Sequence, residues 1–249
     1  MARPSWNEEM RSAAMATLDS KHWVKGLQVQ EFGKEFAEYC GVLNAAPGQN
    51  GSSALWAALK IAGIGPGDEV IVPSYTFIST ATCIVLVGAQ PVFVDVEPDY
   101  FCLDLSAIKL ATTARTKAVI GVHLYGQPYD PKIVDFCKEN DLLLIEDAAQ
   151  AHGAKQQMSN GEINVAGSMG DVGCFSFFPS KNMAVGGEGG MLTTIREEFS
   201  SRIQSITNHG RTPNLESVEL GSNLRMLSLI HISEPTRRYA ISYAVFCLK

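Results

Sequence analysis

The sequence predicts an α/β protein, a three-layer αβα sandwich on a mostly parallel sheet. Two observations carry that expectation. From about residue 52, short and nearly continuous apolar runs alternate with longer segments of helical periodicity. Runs apolar on both faces, separated by helices, are what parallel βαβ units require, because helices then cover both sides of the sheet.

Each segment has its own reason. SSALWAALKIAG (52–63) is rich in Ala and Leu and closes on the turn IGPGD, so it reads as a helix. EVIVPS (69–74) reads as a buried strand, TFISTATCIVLVG (76–88) as an apolar helix and QPVFVDV (90–96) as a second strand. Asp104 or Ser106 can cap a short helix through AIKLATT. KAVIGVHLYG (117–126) is a third strand, PKIVDFCKEND (131–141) an amphipathic helix and LLLIEDA (142–148) a fourth strand. VGCFSFF (172–178) and GGMLTT (189–194) add two strands, and EEFSSRIQSI follows as a helix.

Composition narrows the class. A chain of 249 residues makes one large domain or two small ones. Apolar content of 46% with 18% charged residues suits a globular core. A net charge of −6 and the lack of a basic run argue against a nucleic-acid partner. No run approaches the roughly 18 apolar residues that a membrane span needs. The first residues, MARPSWNEEMRSAAM, carry acids and no apolar stretch, so no signal peptide is expected. The six cysteines are scattered without a CxxC pair, as suits reduced thiols in a cytoplasmic protein. No zinc-ligand spacing is present, and no metal is expected.

In a parallel sheet, ligands bind beyond the carboxyl ends of the strands. Lys181 stands there, in a polar turn within DVGCFSFFPSKNMAVGGEGGMLTT; between Asp171 and Arg196 the one other charge is Glu188. It reads as a solvated turn residue, or as an amine whose pKa apolar surroundings lower for Schiff-base chemistry. Asn50-Gly51-Ser52 opens a helix, either as an ordinary cap or as an anion site made of free N–H groups and the helix dipole. Asp147 ends the apolar strand LLLIED. It can cap the next segment, or hold the protonated ring nitrogen of pyridoxal phosphate. Gln150 lies one turn further on if that segment is helical, and can then donate to a ring oxygen. Phe77 is core, or it stacks on a ring. Ser176 is a small core residue, or a phosphate ligand.

PSYTFISTA, PVFVDVEPDYFCLD, VHLYGQP, IEDAAQAHGA and GDVGCFSFFPSKNMAVGGEGGMLTT together resemble the sugar aminotransferases of the DegT/StrS type, which are fold-type-I pyridoxal-phosphate enzymes. The resemblance runs from about Ala2 to Met226 and implies that this stretch is an N-terminal arm plus the cofactor-binding large domain of that fold. It implies Lys181 as the Schiff-base lysine and proton shuttle, Asp147 as the ring-nitrogen carboxylate and Gln150 as the ring-oxygen partner. Phe77 matches the stacking aromatic. Gly51, Ser52 and Ser176 match the phosphate ligands, with serine at 52 where the family usually has threonine. Asn223, in LGSNLRM, matches an asparagine that reaches the neighbouring subunit's cofactor, so a homodimer is implied. The implied reaction moves an amino group, commonly from glutamate, to the keto group of a nucleotide-linked sugar. The lysine argues against the family's dehydratase branch, where histidine replaces it.

Two departures stand out. The family usually has an apolar strand entering the helix-start motif, whereas this chain reads LNAAPGQNGSS, and Pro47 and Gly48 suit the interior of a central strand poorly. Residues 227–249 match nothing in the family pattern. They are expected to be a non-native tail in place of the small C-terminal domain, which would make this chain a truncated, poorly active fragment. Two further readings remain open. One is a fold-type-I enzyme acting on a cyclitol or aromatic precursor. The other is a regulatory protein that binds pyridoxal phosphate without turnover.

Overall fold

The structure, a computed structural model, describes residues 7–228. Cys247 and the expected tail beyond Ser228 lie outside the described residues. Two helices, α1 (Glu8–Ser20) and α2 (Leu27–Cys40), precede the region where the alternation begins. Then come β1 (Asn44–Gly48), α3 (Gly51–Ile61), β2 (Glu69–Pro73), α4 (Ile78–Leu86), β3 (Gln90–Val94), α5 (Leu105–Ala111), β4 (Thr116–Val122), α6 (Lys132–Glu139) and β5 (Leu143–Asp147). A small hairpin of β6 (Lys155–Gln157) and β7 (Ile163–Val165) leads to β8 (Val172–Ser176), β9 (Gly190–Thr194) and α7 (Glu197–Ile206). Asp104, not Ser106, caps α5, with its carboxylate accepting the Ser106 amide.

The main sheet has the order β1-β9-β8-β5-β4-β2-β3. β3, β2, β4, β5 and β8 are mutually parallel, and β9 is antiparallel to both of its neighbours, β8 and β1. Six strands therefore run one way and β9 runs against them, as a mostly parallel sheet requires. The Pro47 departure resolves at the edge. The chain forms β1 despite Pro47, because β1 is an outer strand that pairs with β9 alone. An edge position tolerates a residue with no N–H to donate.

Alternate residues of each strand feed two cores. On one face, α2, α5 and α6 pack on Ile71, Val119, Leu144, Phe175 and Met191. On the other, α3, α4 and α7 pack on Val70, Val72, Ala118, Ile120, Ile145, Cys174 and Leu192. This is the three-layer arrangement expected from strands that are apolar on both faces. The first core also holds an aromatic cluster, with Phe36 edge-on to Phe175 at 4.9 Å and to Phe177 at 5.6 Å between ring centroids. No helix among the described residues is long and apolar enough to cross a membrane.

A buried carboxylate ties the loop before β8 to the sheet. Glu146, fully buried in β5, accepts the backbone N–H groups of Gly167 (2.8 Å), Met169 (2.8 Å) and Gly170 (2.7 Å) and faces His123 Nε2 at 2.8 Å. A leucine at 146 would leave three buried donors without acceptors, each costing roughly 1–3 kcal/mol. Glu146→Leu is therefore expected to lower unfolding free energy by at least about 3 kcal/mol in urea titrations. A loss under about 1 kcal/mol would contradict this assignment.

Candidate active site

The carboxyl ends of the parallel strands open into a cavity of about 410 Å³. Seven of the eight residues singled out in the sequence line it: Gly51, Ser52, Phe77, Asp147, Gln150, Ser176 and Lys181. The eighth, Asn223, does not line this cavity; its Oδ1 accepts from Arg225 Nε at 2.8 Å.

The start of α3 shows why both readings of Asn50-Gly51-Ser52 hold. Asn50 caps the helix, with its side-chain oxygen accepting the Ser53 amide at 2.9 Å and the Ser53 hydroxyl returning the capping-box contact. That leaves the Gly51 and Ser52 amides with no partner among the described residues. Close approach accounts for two glycines here. A Cβ at Gly51 would lie 2.8 Å from Ser176 Cβ, and one at Gly190 would lie 2.4 Å from the Asn50 carbonyl carbon. Together they let the helix start sit against the ends of β8 and β9. The Ser52 hydroxyl donates to Ser79 Oγ at 2.7 Å, which joins the first turn of α3 to that of α4. Two helix N-termini and the hydroxyls of Ser52, Ser79 and Ser176 thus line one cavity, the donor set that suits a phosphate.

Asp147 is the unusual group. It ends a fully buried central strand and is itself 7% exposed. Oδ2 accepts from Thr80 Oγ1 at 2.8 Å, and Oδ1 accepts from the Ala149 amide at 3.2 Å. The local turn contact expected of a capping carboxylate is present, but it uses one oxygen weakly. Burial pushes the carboxyl pKa above its ordinary value, opposed by the Thr80 hydrogen bond, the Ala149 amide and the more distant charges of Lys181 and His123. A buried carboxylate held this way favours a cation supplied by whatever fills the cavity.

Gln150 follows in a turn rather than a helix, which corrects the helical spacing considered above. Its Oε1 accepts the Tyr125 amide at 2.7 Å, and Tyr125 has a left-handed backbone with φ 54°. The side-chain NH2 of Gln150 is the donor left over. Phe77 is 69% exposed at the N-cap of α4, which rules out its reading as core. Lys181 lies on the irregular connection between β8 and β9, with its amide bonded to the Phe178 carbonyl at 2.8 Å. Its side chain is half-buried. Pyridoxal phosphate fits this donor set. The site offers free amides and hydroxyls for a phosphate, a buried carboxylate for a ring N–H, an exposed aromatic and an amine.

A sequence model of the DegT/DnrJ/EryC1/StrS aminotransferase family matches residues 4–230. The chain belongs to this family. It is 42% identical, over 88% of its length, to the UDP-N-acetyl-3-dehydro-alpha-D-glucosamine 3-aminotransferase of Acidithiobacillus ferrooxidans, and covers 58% of that protein. It is 40% identical, also over 88% of its length, to the "pleiotropic regulatory protein" of Geobacillus stearothermophilus, and covers 59% of that chain. Among solved structures, DesV of S. venezuelae in complex with a ketimine intermediate superposes with a TM-score of 0.87 at 34% identity; 96% of this chain and 62% of that one are covered. The chain thus spans a little under two thirds of the length of these family relatives. The expected fold-type-I α/β architecture is borne out by that superposition.

Sequence reasoning missed two site residues. Thr80 and Ser79 stand inside PSYTFISTA, one turn of α4 beyond Phe77, and could have been found from that spacing.

The raised Asp147 pKa carries a pH dependence. The folded ligand-free protein holds this proton more tightly than the unfolded chain does. Its contribution is favourable below the ordinary carboxylate value, about 4, and is lost as pH rises through the raised value. Ligand-free Asp147→Asn is therefore expected to melt at or above wild type at pH 7, with the gap closing toward pH 4 in paired thermal scans. A variant melting well below wild type at pH 7 would contradict the burial argument.

Proposed function

We propose that the intact protein is a pyridoxal-phosphate-dependent aminotransferase that moves an amino group, with glutamate as donor, to the keto group of a nucleotide-linked sugar. The observation that carries this reading is the buried, under-neutralised carboxylate of Asp147 in the same cavity as Lys181 and two helix N-termini. The sugar-nucleotide assignment is supported by the name of the Acidithiobacillus relative.

Bound in this cavity, pyridoxal phosphate supplies an electron sink. Lys181 Nζ is the covalent anchor and also the base that takes and returns a proton at the reacting carbon. Asp147 holds a protonated ring nitrogen and thereby gains the counter-charge it lacks. Thr80 fixes the orientation of that carboxylate. The NH2 of Gln150 donates to the ring oxygen, and Phe77 covers one ring face. The Gly51 and Ser52 amides, with the Ser52 and Ser176 hydroxyls, hold the phosphate. Asn223, away from this cavity, serves the site of a second subunit, so the working form is a homodimer. Residues 1–226 are an N-terminal arm plus the cofactor-binding large domain, and the acceptor sugar needs chain beyond it. Five described cysteines, all buried and unpaired, suit a reducing cytoplasm.

The Geobacillus relative's name supports a second reading, a regulator that keeps the cofactor pocket without turnover. One titration separates the two. The intact protein mixed with pyridoxal phosphate is expected to develop a visible absorption band that glutamate bleaches, while its Lys181→Ala variant shows no such band. Ser52→Ala and Ser176→Ala are each expected to weaken cofactor binding about tenfold, the loss of one charge-assisted hydrogen bond. A band that no amino donor bleaches would favour the regulator. No band from the intact protein would sink the cofactor reading itself.

A further inference from the structure

Lys181 lies on a connection, residues 177–189, with no helix or strand of its own. An anchoring amine must nevertheless reach a fixed point relative to Asp147. Three backbone bonds brace the loop locally, Phe177 N–H to the Gly189 carbonyl at 2.8 Å, Lys181 N–H to the Phe178 carbonyl at 2.8 Å and Val185 N–H to the Phe177 carbonyl at 2.9 Å. A further brace comes from the residue after Lys181. Asn182 Nδ2 donates to the His152 carbonyl at 3.3 Å, and Asn182 Oδ1 lies 2.7 Å from His152 Nδ1. His152 belongs to the turn that follows Asp147 and Gln150, itself closed by Ala151 N–H to the Ala148 carbonyl at 3.0 Å and Ala154 N–H to the Ala151 carbonyl at 3.0 Å.

The chemistry of this pair is determined. The Asn182 NH2 is directed at a carbonyl, so its oxygen faces the ring and must accept. His152 Nδ1 therefore carries the proton. The ring is 4% exposed and packs against Phe175 and Phe177 at 5.2 and 5.3 Å between centroids. Burial pushes the ring pKa down to about 4, so the ring is neutral at working pH and remains a hydrogen-bond donor through Nδ1.

We propose that His152 and Asn182 form a positioning clamp that locks the loop carrying Lys181 to the turn carrying Asp147 and Gln150. The inference rests on reading Lys181 as the cofactor anchor. Neither residue lines the cavity, so both act through their neighbours. The clamp joins two segments 30 residues apart in sequence. Each of those segments supplies a group that has to meet the same small ring. A misplacement of about 1 Å at such a site can cost about 100-fold in rate.

The test uses Asn182→Ala, His152→Phe and the double variant in the full 249-residue chain. His152→Phe keeps the aromatic packing and removes only the donor. In cofactor-free protein, hydrogen exchange of the amides at 181–184 is expected to quicken about tenfold in each variant, while β8 amides keep their protection. With pyridoxal phosphate, each single variant is expected to slow the appearance of the visible band about tenfold and to shift its pH midpoint. The double variant should lose no more than Asn182→Ala alone, because that change already removes both contacts, including the one that His152→Phe removes. Unchanged exchange and band kinetics, or losses that add, would overturn the clamp. If His152→Phe fails to fold, the exposed Asn182→Ala variant decides alone. If wild type gives no band while exchange responds as expected, the cofactor reading fails and the loop brace stands.

Discussion

The Asp147 carboxylate sits at the end of a central strand with a threonine hydroxyl and one backbone amide for partners. That charge is buried by the sheet itself, because β4 and β8 flank it on both sides. Leaving it under-neutralised costs stability in the ligand-free protein. The same cost favours a cationic group on whatever fills the cavity. The other features of the site can be read as arrangements around this point. Helix N-termini stand where an anion belongs, a lysine loop is braced across from the carboxylate, and Glu146 anchors the backbone behind it.

The placement of these groups follows from topology more than from local sequence. The sheet order brings the carboxyl ends of β4, β5 and β8 together, and β1 delivers the start of α3 to the same edge. Glycines at 51 and 190 allow that helix to approach closely enough for its amides to face the cavity. Glu146 and Asp147, consecutive on one strand, point to opposite faces. One holds the loop before β8 by its amides and the other looks into the cavity.

Much of this was legible in the sequence, for physical reasons. Strands such as EVIVP and LLIED are apolar on both faces, so their burial between helix layers could be read from composition alone. Lys181, Asp147, Gly51 and Ser176 fall at strand ends or a helix start, and the parallel topology then gathers them. What stayed hidden depends on position in the sheet or on contacts distant in sequence. Pro47 argues against a strand only if the strand is central, and nothing local says that β1 lies at an edge. The β6–β7 hairpin is built from strands of three residues each, KQQ and INV, too short for a pattern to mark them. Gln150 would lie one helical turn from Asp147 only if that segment were helical; it sits in a turn, with its side-chain oxygen accepting the Tyr125 amide. The His152–Asn182 pair is invisible until the two segments are folded together.

The central claim is that Lys181, and no other lysine, is the residue that bonds to the cofactor opposite Asp147. Borohydride reduction of the protein loaded with pyridoxal phosphate, followed by peptide mass mapping, tests this directly. The account predicts one stoichiometric cofactor adduct, on the peptide that contains Lys181. A stoichiometric adduct on a different lysine, or adducts scattered over surface lysines with none enriched at Lys181, would contradict it.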